Sequence, residues 1–440
     1  MIKRFIRRVL GLPAETRRVP RERHSLRRNA LSNGALKVCD VLREAGYSAY
    51  VVGGAVRDLL LDIAPKDFDI ATDARPEQVK PLFRRAIVIG RRFRLVHVML
   101  GAETVEVSTF RSADANTAEK DEHGRVLRDN VFGSQQEDAR RRDFTVNALY
   151  FDPAGEEIVD YHGGLADLKK RLLRVIGDPE TRYREDPIRM LCAVRLAAKL
   201  GLALESSTRA PIRRLAPLLE HVPPPRLFDE MLKLLMSGHA SACLRQLREE
   251  GLSRGVLPLL DVILEQPLGE RFVTLALAQT DERARSGRPV SPAFLFAALL
   301  WHEVLAACKA RQAKGERLLP ALEAAMDRVL DAQIGKLALT RKLTATMREV
   351  WAMQPRFEQR GGQRPYRLIE SPRFRMAYDF LALRAASGEV NAELEAWWRA
   401  FQGADTESRQ AMLLPDSGPR KKRRRRRRRK DAASAGPAQA

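Results

Sequence analysis

Apolar positions at 36, 38, 39, 41 and 42 recur at the spacing of one helical face and stop before Gly46, which predicts a helix over Leu36 to Ala45 with a glycine just past its end. Short β-type runs follow at 48 to 52, 68 to 72, 86 to 89, 95 to 100, 104 to 110 and 145 to 151. The helices between them are few, Glu77 to Phe83 being the clearest, and the mixture predicts a mixed sheet with helices on one face. Ser112 to Asp129 is polar, charged and nearly without apolar residues, as expected of a mobile loop inside this domain. From about Asp178 the strand signal vanishes. Pro187 to Leu200 ends at Gly201, and further helical stretches fall at 226 to 236, 292 to 308, 317 to 333, 340 to 353 and 391 to 401. The expected class is α+β, a mixed-sheet head followed by an all-α remainder.

A chain of 440 residues exceeds one comfortable core, so two or three packed units are expected. No run of about eighteen apolar residues appears, so no transmembrane segment is expected and the chain reads as soluble. The formal net charge of +22 points to a polyanionic partner. Much of it lies at the ends: Lys3, Arg4, Arg7, Arg8, Arg17, Arg18, Arg21 and Arg23 crowd the start, and Arg420 to Lys430 is unbroken basic sequence. Such blocks are solvated and self-repelling, yet they also grip nucleic-acid backbones. Met1 to Leu12 is too broken for a secretory signal and reads as part of a basic arm, with a membrane-surface helix as the other reading. Cys39, Cys192, Cys243 and Cys308 have no short mutual spacing and no histidine at zinc-ligand distance. They are expected as small buried side chains in a reducing, cytoplasmic setting.

The candidate chemistry is concentrated in one stretch. A strand-like Ala49-Tyr50-Val51-Val52 runs into Gly53-Gly54, and Asp67-Phe68-Asp69 follows. Two carboxylates two residues apart in a strand share a face, close enough to hold one cation. Mg²⁺ is held in this way, by one or two carboxylates together with substrate phosphates. Without Cβ atoms, Gly53 and Gly54 let a triphosphate approach the backbone at a helix N-terminus, although a Gly-Gly pair alone also fits an ordinary tight turn. Arg57 lies one turn on, within reach of phosphates or simply on the surface. No Gly-Lys-Ser/Thr is present, so this is not a Walker loop. Asp186 directly precedes Pro187, which by itself suits a helix cap.

Gly53-Gly54-x-x-Arg57-Asp58, Asp67-x-Asp69, Arg141-Arg142-Asp143-Phe144-Thr145-Val146-Asn147-Ala148-Leu149 and Glu185-Asp186-Pro187-Ile188-Arg189 together resemble the ordered motifs of the class II nucleotidyltransferases, the family of bacterial poly(A) polymerases and CCA-adding enzymes. The resemblance covers about residues 33 to 240. It implies that Asp67 and Asp69 are the metal carboxylates and that Asp143 is the third catalytic acid. Glu106, within Val105-Glu106-Val107, ranks below Asp143 for that place. It further implies that Gly53, Gly54, Arg57 and Arg142 hold the incoming nucleotide, while Asp186 and Arg189 read its base edge. The implied cofactor is Mg²⁺ or Mn²⁺, with ATP as substrate. The implied layout is a basic arm over 1–32, a nucleotidyltransferase head over 33–161, a helical neck over 162–240, an RNA-binding helical body over 241–414 and a disordered Arg-rich tail over 415–440.

One position departs from the family pattern. Cys192 stands where a second arginine is usual, three residues after Arg189, and a thiol lacks the guanidinium's fork of donors. Arg195 and Arg184 are candidate substitutes. Val88-Ile89-Gly90-Arg91-Arg92-Phe93-Arg94-Leu95-Val96-His97-Val98 resembles the signature that separates the polymerases from the CCA-adding enzymes. Arg91, Arg92 and Arg94, with Arg423, Arg426 and Arg429 of the tail, are the expected RNA contacts, internal ion pairing being the other reading of the first three. His97 and His162 are expected as hydrogen-bonded structural residues. No histidine is followed by Asp, so a His-Asp phosphohydrolase domain is not evident. The resemblance implies template-independent, ATP-dependent extension of RNA 3′ ends, with RNA 3′ ends and RNA-decay proteins as partners. The alternatives are CCA addition to tRNA and a non-catalytic RNA-binding protein.

Overall fold

In the computed structural model, residues 17–90, 94–112, 119–120, 126–128, 131–252, 267–337 and 339–415 are described. Val96, Val98, Val105 and Val107 are fully buried, while His97, Glu106 and Ser108 between them are not. That alternation is what a sheet with one closed face requires.

The head is built on an eight-stranded sheet in the order β1-β10-β9-β2-β3-β6-β5-β4. Its strands are β1 (Arg17–Val19), β2 (Ala49–Val52), β3 (Asp69–Thr72), β4 (Ala86–Ile89), β5 (Leu95–Leu100), β6 (Glu103–Thr109), β9 (Leu149–Asp152) and β10 (Glu157–Asp160). Every ladder in it is antiparallel except β3 with β6, whose crossover carries the β4–β5 hairpin. The helix Asn33–Glu44 packs on β2, β3 and β6 and is capped by Ser32, whose Oγ accepts from the Ala35 N–H at 3.0 Å.

The mixed sheet matches the expected class. The expected basic arm does not hold beyond residue 16: β1 pairs with β10 as an edge strand, and Val19, Leu26 and Leu31 are buried. The run at 145 to 151 splits, since Thr145–Asn147 forms a short 3₁₀ turn and β9 begins only at Leu149. Most of the polar loop at 112–129 lies outside the described residues. The described part pairs β7 (Glu119–Lys120) with β8 (Val126–Arg128).

Helices take over from Pro179–Glu185. Ile188–Leu200 ends on Gly201 in the left-handed region (φ 61°) and packs against Pro224–Leu235 and Ala240–Glu249. Leu227, Glu230, Met231, Leu234 and Leu235 form the buried stripe of the Pro224–Leu235 helix. Pro292–Gln312 is long and apolar enough by composition to cross a membrane, with a mean hydropathy of 1.5. It is nonetheless a core helix, 67% of that window being buried inside the protein.

The chain divides between Arg348 and Glu349. The second unit has its own aromatic core of Phe357, Phe374, Tyr378, Trp398 and Phe401, in which the Trp398 indole N–H donates to the Phe357 carbonyl at 2.8 Å.

Candidate active site

β2 delivers the chain to Gly53, whose φ of 78° suits glycine, and the helix Gly54–Leu60 starts at once. A Cβ on Gly53 would stand 3.5 Å from Arg142 Nη1 and 3.8 Å from Asp69 Oδ2, so the bare backbone here is the floor between a guanidinium and a carboxylate. Arg57 turns inward instead of reaching out: it is 5% exposed, its Nε donates to Asp58 Oδ1 at 2.7 Å, and its Nη1 donates to Asn147 Oδ1 at 2.5 Å. Its Nη2 lies 3.5 Å from where a Cβ on Gly54 would be. A Cβ at Gly54 would stand in ordinary van der Waals contact with the arginine.

Asp67 lies just before β3 and is exposed, Phe68 is buried, and Asp69 opens the strand half-buried, so the two aspartates share the accessible face. In the parallel ladder Asp69 is register-paired with Glu106. Burial pushes the Asp69 carboxyl up to about 6, the nearby Glu106 and Asp67 add to the rise, and Arg142 opposes it. Gathered negative charge of this kind is relieved by a cation, and an all-oxygen donor set suits Mg²⁺ or Mn²⁺. Among the described residues no three His, Cys, Asp or Glu side chains are drawn together into a finished metal cage.

Arg142 is held rigidly. Asp138 Oδ2 accepts from its Nε at 3.2 Å and its Nη2 at 3.1 Å, the Tyr150 hydroxyl accepts from Nε at 3.0 Å, and the guanidinium stacks 5.2 Å from the centre of the Tyr150 ring. Burial works against its charge, but Tyr150 and Asp138 together keep it firmly protonated.

Asp143 is engaged elsewhere. Its Oδ1 accepts from the Phe144 N–H at 2.7 Å and from Asn147 Nδ2 at 3.0 Å, and Asn147 in turn holds Arg57. Glu106, register-paired with Asp69, helps to raise the Asp69 carboxyl. The geometry sets Glu106 beside Asp69 in the ladder, while Asp143 Oδ1 begins a chain through Asn147 that steadies Arg57. Asn147 lay in a recognised motif, but nothing in its spacing disclosed this contact.

On the neck, Asp186 does not cap the helix that follows. Both its oxygens accept from Arg226, Oδ1 from Nη1 at 3.2 Å and Oδ2 from Nη2 at 2.9 Å. Arg189 Nη1 donates to the Arg182 carbonyl at 2.7 Å and to Glu185 Oε2 at 3.4 Å. The Cys192 thiol is raised well above its ordinary value by burial, with Glu230 next to it. Of the candidate substitutes for the missing arginine, Arg195 is engaged, its Nε donating to Glu230 Oε1 at 2.5 Å, while Arg184 is exposed and pairs at the surface with Glu180 at 3.0 Å. Arg94 pairs with Glu77 at 2.6 Å, the internal alternative for that residue. Arg91, Arg92, Arg423, Arg426 and Arg429 lie outside the described residues. His97 Nε2 is 3.5 Å from Glu106 Oε2, and His162 is largely buried.

The fold is that of a template-independent nucleotidyltransferase. It is similar to the crystal structure of the Bacillus stearothermophilus CCA-adding enzyme in complex with CTP, with a TM-score of 0.56 and 29% identity over 83% of this chain and 80% of that one. Residues 49–174 match the poly A polymerase head domain, residues 201–264 a probable RNA and SrmB-binding site of polymerase A, and residues 314–431 the polymerase A arginine-rich C-terminus. Poly(A) polymerase I of Salmonella typhi is 46% identical over 408 residues, 90% of this chain and 88% of that protein. The CCA-adding enzyme of Lactobacillus helveticus is 39% identical over 223 residues, only 50% of this chain and 54% of that enzyme. The chain belongs to the poly(A) polymerase I family.

Proposed function

We propose that this protein lengthens RNA 3′ ends with AMP units taken from ATP, without a template, releasing pyrophosphate. The RNA 3′ oxygen bonds to the α-phosphorus as the bond from that phosphorus to the β-phosphate bridging oxygen breaks. The observation that carries this reading is the extent of sequence likeness: it spans 90% of the chain with poly(A) polymerase I of Salmonella typhi, the basic C-terminus matching that family as well, but 50% with the CCA-adding enzyme of Lactobacillus helveticus.

Asp67 and Asp69, with Glu106 alongside and substrate phosphates completing the set, would hold divalent metal, Mg²⁺ or Mn²⁺, which when bound lowers the charge on the attacking and leaving oxygens. The bare Gly53 backbone admits the phosphates, and Arg142, fixed by Asp138 and Tyr150, offsets their charge where it faces that backbone. Arg57 braces the Gly54 turn from beneath. Arg189 and Asp186 lie at the neck, where base selection falls under this reading, and Arg226 sets the orientation of the Asp186 carboxylate.

The proposed layout keeps the catalytic head to about residue 161, a neck to 240 and an RNA-binding body to 414, with the basic tail gripping phosphates. Cytoplasmic action on RNA 3′ ends, with RNA-decay proteins as partners, completes the reading. The SrmB-binding description of the family segment at 201–264 supports a protein partner on that stretch. Incubation with Mg²⁺, a generic RNA and each nucleotide singly tests the proposal: lengthening with ATP alone is expected. CTP incorporation into tRNA lacking its terminus would overturn it in favour of CCA addition.

A further inference from the structure

Ile87, His97, Glu106 and Asp69 form one row across four neighbouring strands, since Ile87 is register-paired with His97, His97 with Glu106, and Glu106 with Asp69. Paired residues share a face, so the row lies on a single surface of β4, β5, β6 and β3. The opposite face of these strands is closed by Val96, Val98, Val105 and Val107. The row's own face is open, with Glu106 and His97 side chains 42% and 36% exposed and Ile87 53% exposed. Among the described residues of the head, Ile87 is the one large apolar side chain left exposed, and it stands on an edge strand. An apolar residue there is a liability for association unless the surface has an occupant.

We propose that this face seats the 3′-terminal nucleotide of the RNA, with its base against Ile87 and His97 and its ribose directed toward Glu106 and Asp69. The inference rests on the polymerase reading above and adds a location and two contact residues to it. Three arguments favour this occupant over any other. The surface runs without a break into the catalytic acids, and strands set about 4.8 Å apart place His97 about 10 Å from Asp69, within the span of one nucleotide. An imidazole beside an aliphatic side chain offers a flat, sequence-tolerant contact to any base, as an enzyme acting on varied RNA ends requires. Exposed Arg84 and Arg85 lead into β4 and supply positive charge for the adjoining backbone phosphate. The 3.5 Å contact from His97 Nε2 to Glu106 Oε2 ties the platform to the acid, so a seated terminal nucleotide and the reacting centre are positioned by one row of side chains.

Under the same reading the basic tail also grips RNA, so overall affinity would hide this seat; the test has to report on the last base alone. Full-length protein is mixed with a short RNA ending in 3′-deoxy-2-aminopurine, which stacks and is quenched but is not extended. Quenching is expected with the unaltered protein, and it should be lost in Ile87→Glu and His97→Gln and kept in His97→Phe. Ile87→Glu should also raise the KM for an extendable RNA about tenfold while leaving the KM for ATP as it was. Absence of quenching in the unaltered protein, quenching that survives Ile87→Glu, or equal quenching of a probe placed three nucleotides inside would overturn the proposal. So would retention in His97→Gln with loss in His97→Phe, which would leave His97 as a support for Glu106 alone. Failure of the unaltered protein to extend any RNA with ATP would instead overturn the polymerase reading, because the quenching signal requires no catalysis.

Discussion

Asp186 and Arg226, forty residues apart, meet fork to fork: each oxygen of the carboxylate takes its own guanidinium nitrogen. The pair holds the start of the Ile188–Leu200 helix against the Pro224–Leu235 helix, and Glu230 of the same partner helix grips Arg195 further along. Two polar contacts thus fix the neck helix at its start and near its middle. Arg226→Ala is expected to cost about 1–2 kcal/mol in denaturant unfolding, the penalty of stranding a largely covered carboxylate. It should also relax nucleotide choice, which single-nucleotide incorporation would reveal as increased use of CTP or GTP. Unchanged selectivity would confine the pair to a structural role.

Asp69→Asn and Glu106→Gln are each expected to lower kcat by about a thousandfold, equivalent to several kcal/mol of lost stabilisation in the transition state. RNA binding should persist in both. Asp143→Asn should act differently, raising the KM for ATP through Asn147 and Arg57 with a much smaller effect on kcat. Steady-state kinetics on the three variants tests the placement of Glu106 beside Asp69, and a Glu106→Gln variant with normal kcat would refute it.

His162 lies largely buried, and its Nε2 has no hydrogen-bond partner. Burial holds its imidazole below the usual 6.5. The unfolded chain therefore takes up this proton first, so the stability it contributes is whole above about pH 6.5 and is lost as the pH falls through the lower folded-state value. Thermal unfolding followed from pH 7.5 to 5 should show a decline that His162→Gln flattens. Identical slopes in the two proteins would remove the group from the account.

All four cysteines have thiols shifted away from reactivity. Burial pushes Cys39 up to about 12 and Cys243 up to about 11, and it raises Cys192 and Cys308 as well. Native protein at pH 8 should resist iodoacetamide until it unfolds, with mass spectrometry counting the adducts. Rapid labelling of Cys192 would show that its pocket opens.

The parts of the fold and site that were legible in the sequence are the local ones. The alternation of β5 and β6, the glycine turn and the Asp67-Phe68-Asp69 triplet each announce themselves within a few residues, because side-chain period and backbone freedom act over that range. β1 was missed because three residues inside a basic stretch carry no periodic signal, and only pairing with β10 makes them a strand. The adjacency of Glu106 to Asp69 was hidden for a related reason. It depends on register across a crossover that no local pattern specifies, whereas Asp143 sat in a motif that names the residue without saying where its oxygens point. Arg226 was visible as part of a helix, but its partner lies forty residues away.

Because β3 and β6 run side by side in the same direction inside the sheet, the spacing of Asp69 and Glu106 is set by backbone ladders and owes nothing to the loops around them. Insertions at the rim, exchanged helices or a lengthened basic tail leave that distance untouched. A lineage can therefore change what the protein acts on while inheriting the same acidic pair intact.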